Sequence, residues 1–119
     1  MAHRITKQFT FDSAHYLPHV PAGHKCGRLH GHTYTVILGL EGDLDPEMGW
    51  IVDFGEIKAI WKPLEKRLDH HCLNDIEGLD NPTAENMARW IFETLSPGLP
   101  LLAEVVVKET PNTASRYRP

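Results

Sequence analysis

Cys26-Gly27-Arg28-Leu29-His30-Gly31-His32 runs directly into Thr33-Tyr34-Thr35-Val36-Ile37-Leu38-Gly39-Leu40. The second run is β-branched, aromatic or aliphatic, which is the composition of a strand. Side chains on a strand alternate between faces, so His30 and His32 point the same way. Two neutral imidazoles on one face supply two of the three protein ligands of an open zinc site, whose fourth position is left free. Upstream, Phe9-Thr10-Phe11-Asp12-Ser13-Ala14-His15 reads as another strand with Phe9 and Phe11 on one face. Antiparallel pairing of the two strands brings His15 to the His30/His32 pair. Three histidines on adjacent strands are a more specific signal than His-x-His, which recurs by chance. Cys26 stands four residues before His30. A lone cysteine is commonly a small buried hydrophobe, but beside a metal its thiol is a candidate nucleophile or base.

Outward from this block the chain alternates strands and helices. Residues 4–12 fit the upstream strand and residues 31–42 the second one. Between them, residues 16–29 hold Pro18, Pro21, Gly23 and Gly27 and form a loop able to fold back and carry Cys26 over the metal. Asp43 to Gly49 is a turn or long connection. Asp53, with Glu56 three residues on, reads as a helix N-cap. Behind it Ile57, Ile60, Trp61, Leu64 and Leu68 recur at helical spacing, a core-facing stripe. Pro63 inside that stripe is expected to kink the helix or cost it a hydrogen bond. Asp75 to Pro82 is a loop. Thr83 caps a second helix through Leu95, with Met87, Trp90, Ile91 and Leu95 on one side, and Ser96-Pro97-Gly98 ends it. Leu102 to Thr110 is a valine-rich strand, and Ala114 to Arg118 a short fourth. The order is β-β-α-α-β-β, an α+β arrangement of two helices on an antiparallel four-stranded sheet.

At 119 residues the sequence fits a single domain, residues 1–119, with a core that needs no staples. A net charge of -4 argues against nucleic-acid binding, which needs a basic face. It leaves room for a small anionic substrate held by local Arg and Lys. No segment is apolar and long enough to span a membrane, and no signal peptide is evident. A cytoplasmic, reducing setting follows, with Cys26 and Cys72 free. The 8 histidines crowd the first third and Asp69-His70-His71, which suggests metal or acid–base chemistry. His3, His19, His24 and His71 are read as ordinary surface or supporting residues.

Six blocks in order carry a family resemblance. They are Phe11-Asp12-Ser13-Ala14-His15, Cys26-x-x-x-His30-Gly31-His32, Gly49-Trp50-Ile51-Val52-Asp53-Phe54, Leu68-Asp69-His70-His71-x-Leu73-Asn74, Asn81-Pro82-Thr83-x-Glu85-Asn86 and Val107-Lys108-Glu109-Thr110. Over essentially its whole length the chain resembles the 6-pyruvoyltetrahydropterin synthase family, most closely its bacterial queuosine-pathway (7-deazapurine) branch. The resemblance implies the tunnelling fold (T-fold), in which three subunits join their sheets into a twelve-stranded barrel and two trimers form a homohexamer. It implies Zn2+ held by His15, His30 and His32. It implies catalytic roles for Cys26 as base, for the Asp69–His70 pair in proton transfer, and for Glu109. Glu109 and Thr83 match pterin-contacting positions. The expected reaction converts 7,8-dihydroneopterin triphosphate to 6-carboxy-5,6,7,8-tetrahydropterin, acetaldehyde and triphosphate. Relatives in folate synthesis carry a Glu at or near the cysteine position, and retention of Cys26 disfavours that assignment.

Plainer readings stand beside these. Asp69 can simply end the first helix, with His70 at its C-terminus. Thr83 is fully explained as an N-cap. A Glu109 that faces inward among valines is costly to bury unless paired, whereas at a strand end it is solvated. At the level of function, the alternatives are the biopterin-forming synthase, a non-catalytic pterin- or purine-binding module, and a structural zinc protein. Pure binding does not need Cys26, Asp69 and His70. A closed structural site needs four ligands, usually with cysteines, and only Cys26 could complete it.

Overall fold

The structure, a computed structural model, describes residues 2–119. Its elements are β1 (His3–His15), β2 (His30–Gly42), α1 (Phe54–Leu68), α2 (Ala84–Leu95), β3 (Leu102–Thr110) and β4 (Thr113–Tyr117). They form one four-stranded antiparallel sheet in the order β1-β2-β3-β4. β1 spans in one strand both the alternating residues 4–12 and the stretch read as a strand up to His15. That span follows from the thirteen-step pairing of β1 with β2, from His3↔Gly42 to His15↔His30. Both connecting loops also hold short 3-10 turns, at Lys25–Gly27 and Leu73–Asp75.

Helix α1 starts where the sequence places it, because the Asp53 side chain accepts from the Gly55 N–H at 2.9 Å. Pro63 lies inside α1, which nonetheless runs unbroken to Leu68. Thr83 caps α2 by accepting from Asn86 N at 3.1 Å. Both helices cover one face of the sheet. Trp61 is fully buried and stacks on Phe9 at 4.9 Å between ring centroids. Met87, Ala88 and Ile91 join Val105 and Val107 in the same core. Truncating a buried aromatic such as Trp61 costs about 3–5 kcal/mol in transfer and cavity terms.

The other face is polar along β1, with Arg4, Thr6, Gln8, Thr10 and Asp12 exposed in alternation. One acid there, Glu104, is 6% exposed. It is paired with Arg4 at 2.5 Å and Arg116 at 3.1 Å, which offsets the cost of burying its charge. Arg4 reaches it by crossing Gly39, where any Cβ would collide with the guanidinium.

The free edge of β1 is partly covered by the chain leaving α1. His70 N donates to Asp12 O at 2.6 Å and Ala14 N donates to His71 O at 3.0 Å. Ser13 Oγ donates to the Leu68 carbonyl. This docking fixes Asp69-His70-His71 beside the end of β1 that carries His15. No helix among the described residues is long and apolar enough to cross a membrane.

Candidate active site

Strand alternation and register assemble the histidines. His30, His32 and Tyr34 lie on the helix-facing side of β2, and Phe11, Ser13 and His15 on the same side of β1. The register sets His15 opposite His30 and Ser13 opposite His32. One nitrogen from each of His15, His30 and His32 lies within 4.8 Å of the others. Ring centroids are 4.6 Å apart for His15/His30, 5.2 Å for His15/His32 and 4.9 Å for His30/His32.

Two rings have their orientation fixed from behind. His15 Nδ1 lies 2.8 Å from Pro82 O, and His30 Nδ1 lies 2.7 Å from Arg28 O. A carbonyl only accepts, so each Nδ1 carries a proton and donates it, which leaves Nε2 as the atom each of these rings can offer a metal. Burial lowers the His15 pKa below its ordinary value, against the opposing effects of the Pro82 carbonyl and Glu109. Burial also lowers His32, with Glu109 again opposing. The neutral form is the one that binds a metal, so folding has already discharged part of the proton cost of loading.

Glu109 closes the group. Its Oε2 is 3.1 Å from His32 Nε2 and 3.6 Å from His15 Nε2. Both nitrogens are buried without a hydrogen-bond partner. For His15 this sets a lone pair against a carboxylate oxygen, an arrangement that a cation between them relieves. The donor set therefore fits a divalent metal: three imidazoles, inward nitrogens and an adjacent anion. Tyr34 is fully buried beneath the rings, 5.8 Å from His15 and 5.5 Å from His32 between centroids, and its hydroxyl has no partner. Burial pushes the Tyr34 phenol well above its ordinary value.

Asp69 and His70 form a second centre. Asp69 is the C-cap of α1, as the plainer reading has it, and it also pairs with His70 Nδ1 at 2.8 Å. Asp69 Oδ1 accepts from Asp12 N at 2.9 Å. His70 has φ 58, the left-handed region that usually takes glycine after a helix. For a residue with a Cβ that costs about 1–2 kcal/mol. A cavity of about 600 Å³ runs past His70, His71 and Cys72 and reaches His32 of the histidine cluster.

The Asp12 N–H, followed by the His70 contact, holds the Asp69 carboxyl below its usual range, and Asp69 raises His70 above its own. Asp69→Asn is expected to bring the His70 pKa back down, as read from its imidazole signals in an NMR titration. The sign also governs stability. The His70 contribution is complete below about pH 6.5 and is lost as pH rises through the raised folded value. The Asp69 contribution is complete above about pH 3.9 and is lost as pH falls through the lowered one. An unchanged His70 midpoint in Asp69→Asn would show that the pair is not coupled.

Cys26 sits in the 3-10 turn Lys25–Gly27 of the loop over residues 16–29, half-buried and free, as is Cys72. The loop does fold back, with Leu17 N donating to Cys26 O at 2.8 Å. The thiol is not in the ligand cluster found among the described residues. His24, read from sequence as an ordinary residue, caps this turn: its Nδ1 accepts from Cys26 N at 3.0 Å. Thr83 has its hydroxyl engaged as the N-cap of α2. The next two residues, Ala84 and Glu85, line a separate cavity of about 470 Å³ together with Val107 and Glu109. Sequence reading missed the carbonyls of Pro82 and Arg28, the cap by His24 and the buried Tyr34 hydroxyl. Of these, only Tyr34 left a signal, as the next same-face residue after His32.

The sequence model of the 6-pyruvoyl tetrahydropterin synthase family matches residues 4–119. The chain is 44% identical over 119 residues to 6-carboxy-5,6,7,8-tetrahydropterin synthase of Synechocystis sp., covering 95% of this chain and 91% of that protein. It is 35% identical over 132 residues to 6-pyruvoyl tetrahydrobiopterin synthase of Drosophila melanogaster, covering 96% and 78%. The solved 6-pyruvoyl tetrahydropterin synthase of Caenorhabditis elegans matches the fold with a TM-score of 0.90 at 26% identity, over 98% of this chain and 95% of that one.

Proposed function

The chain belongs to the 6-pyruvoyl tetrahydropterin synthase family, and from that premise we propose that it is a zinc-dependent carbon–oxygen lyase. In this proposal it is a single domain that converts 7,8-dihydroneopterin triphosphate to 6-carboxy-5,6,7,8-tetrahydropterin, acetaldehyde and triphosphate in cytoplasmic queuosine (7-deazapurine) biosynthesis. The supporting observation is the convergence of His15, His30 and His32, with two Nε2 atoms left as ligands by carbonyls on Nδ1, in a chain 44% identical to a 6-carboxy-5,6,7,8-tetrahydropterin synthase.

His15, His30 and His32 hold the zinc. When bound, the ion makes a substrate hydroxyl more acidic and polarises a developing carbonyl. Cys26, as thiolate, takes a proton from the neighbouring side-chain carbon. His70 is the second proton-transfer group, and Asp69 fixes its tautomer and favours its charged form. Glu109 accepts from the pterin's amino and ring N–H groups, a bidentate match to a guanidine-like edge. Thr83, next in sequence to Ala84 and Glu85 of the cavity that Glu109 lines, is in this proposal a pterin contact.

Mass spectrometry of the products formed from dihydroneopterin triphosphate tests the assignment. The expected products are the 6-carboxy compound and acetaldehyde. A 6-pyruvoyl product assigns the chain instead to biopterin synthesis, a reading supported by 35% identity to the Drosophila enzyme. Binding without turnover assigns it as a pterin-binding module.

The oligomer belongs to the same proposal. Among the described residues β4 is an edge strand with β3 as its one partner, and an open edge invites another strand. Sedimentation is expected to give a homohexamer, two trimers each closing a twelve-stranded barrel. A stable, active monomer would refute the barrel.

A further inference from the structure

Asn74 closes the block that begins Leu68-Asp69-His70, yet no step proposed above uses it. It lies half-buried in the 3-10 turn Leu73–Asp75, which Leu73 anchors in the core. Its side chain reaches back fifty-eight residues to Tyr16. Asn74 Oδ1 accepts from Tyr16 N at 3.0 Å, and Asn74 Nδ2 donates to Tyr16 O at 2.8 Å. A primary amide carries a donor and an acceptor side by side, so it pairs with both backbone groups of one residue as a neighbouring strand would. Nδ2 also lies 3.5 Å from Asp80 O, in the loop that leads to Pro82. Tyr16 is the junction of two functional segments. Before it stands His15, whose other neighbour, Ala14, donates its N–H to His71 O at 3.0 Å. After it stands Leu17, whose N–H holds the Cys26 carbonyl at 2.8 Å. The β1–β2 pairing stops at His15↔His30, and Asn74 takes over one residue later.

We propose that Asn74 is a positioning residue: by pairing with the Tyr16 backbone it fixes the ligand His15 and the turn that carries Cys26 relative to each other. The roles of those two residues rest on the zinc-lyase reading above. Their placement by Asn74 rests on the hydrogen bonds alone.

Asn74→Asp keeps the shape of the side chain and the acceptor for Tyr16 N, but sets a second acceptor against Tyr16 O. Asn74→Ala removes both bonds. In each full-length variant, zinc Kd by chelator competition is expected to weaken by about tenfold to a hundredfold, the usual effect of losing support behind a metal ligand. At saturating zinc, turnover is expected to stay about tenfold low or lower, because the Cys26 turn is released as well. A local signature separates positioning from general stability. In metal-free protein carrying isotope-labelled histidine, NMR follows the exchange with water of two ring protons. The His15 Nδ1–H, held by Pro82 O across the fold, is expected to exchange about tenfold faster or more in both variants. The His30 Nδ1–H, held by Arg28 O only two residues away, is expected to keep its rate. Unchanged zinc affinity together with unchanged His15 exchange in the folded Asn74→Asp protein overturns the proposal. Equal acceleration at His15 and His30 also overturns it, marking Asn74 as a general stabiliser. If the unaltered protein binds no zinc, the zinc reading falls, while the exchange comparison still decides whether Asn74 holds His15.

Discussion

His30→Ala and His32→Ala are each expected to lose most of the zinc from a protein that otherwise carries about one ion per chain. Each removes one of three nitrogens gathered within 4.8 Å, and two remaining imidazoles cannot hold an open site. Turnover falls with the metal, and the ion's contribution to stability falls too. A ligand bound only by the folded state, at a hundred times its Kd, stabilises by about 2.7 kcal/mol, so added zinc raises the thermal midpoint of the parent but not of the variants. The pH dependence has a definite sign. Burial lowers His15 and His32 from their ordinary values, which favours the neutral, ligating form. Zinc should therefore stay bound through about pH 6.5 and be released only on further acidification. Metal analysis of both variants decides the matter, and full retention in both would remove the histidines from the ligand set.

Much of this centre was legible because it depends on strand periodicity. Period two sets His30 beside His32, and antiparallel pairing of two long strands leaves His15 nowhere to go but opposite them. The caps Asp53 and Thr83 were legible for a similar reason, since their bonds are local in sequence. What orients the ligands was not legible. Pro82 lies sixty-seven residues from His15, and its carbonyl is brought there by the loop ahead of α2, which has no periodicity to read. The left-handed φ of His70 was equally hidden, because a histidine carries no glycine-like signal for it. One tertiary contact and one local contact hold it there: its N–H on Asp12 and its ring on the neighbouring Asp69. Glu109 was weighed as either solvated or facing a ligand, and its position against the histidines depends on the β2–β3 register, which is set across a two-helix connection.

Cys26→Ala is expected to separate chemistry from architecture. The thiol is half-buried, sits in a three-residue turn and is outside the histidine cluster. The turn is held through the Cys26 backbone, its carbonyl accepting from Leu17 N and its N–H donating to the His24 ring Nδ1, and alanine keeps both bonds. Zinc content should therefore equal that of the parent, and the thermal midpoint should move by no more than a substitution outside the core moves it, within about 0.5 kcal/mol. Turnover should nonetheless fall by roughly a hundredfold or more, the scale of losing a positioned proton-transfer group. His70→Ala should depress turnover separately, because its pair with Asp69 at 2.8 Å stands on another segment of the chain. Two other outcomes carry distinct signatures in the same preparation. A ligating thiol would take zinc with it when removed, and a packing thiol would lower the midpoint along with activity. Zinc content, midpoint and turnover measured together on Cys26→Ala distinguish all three, and unchanged turnover would exclude Cys26 from the mechanism.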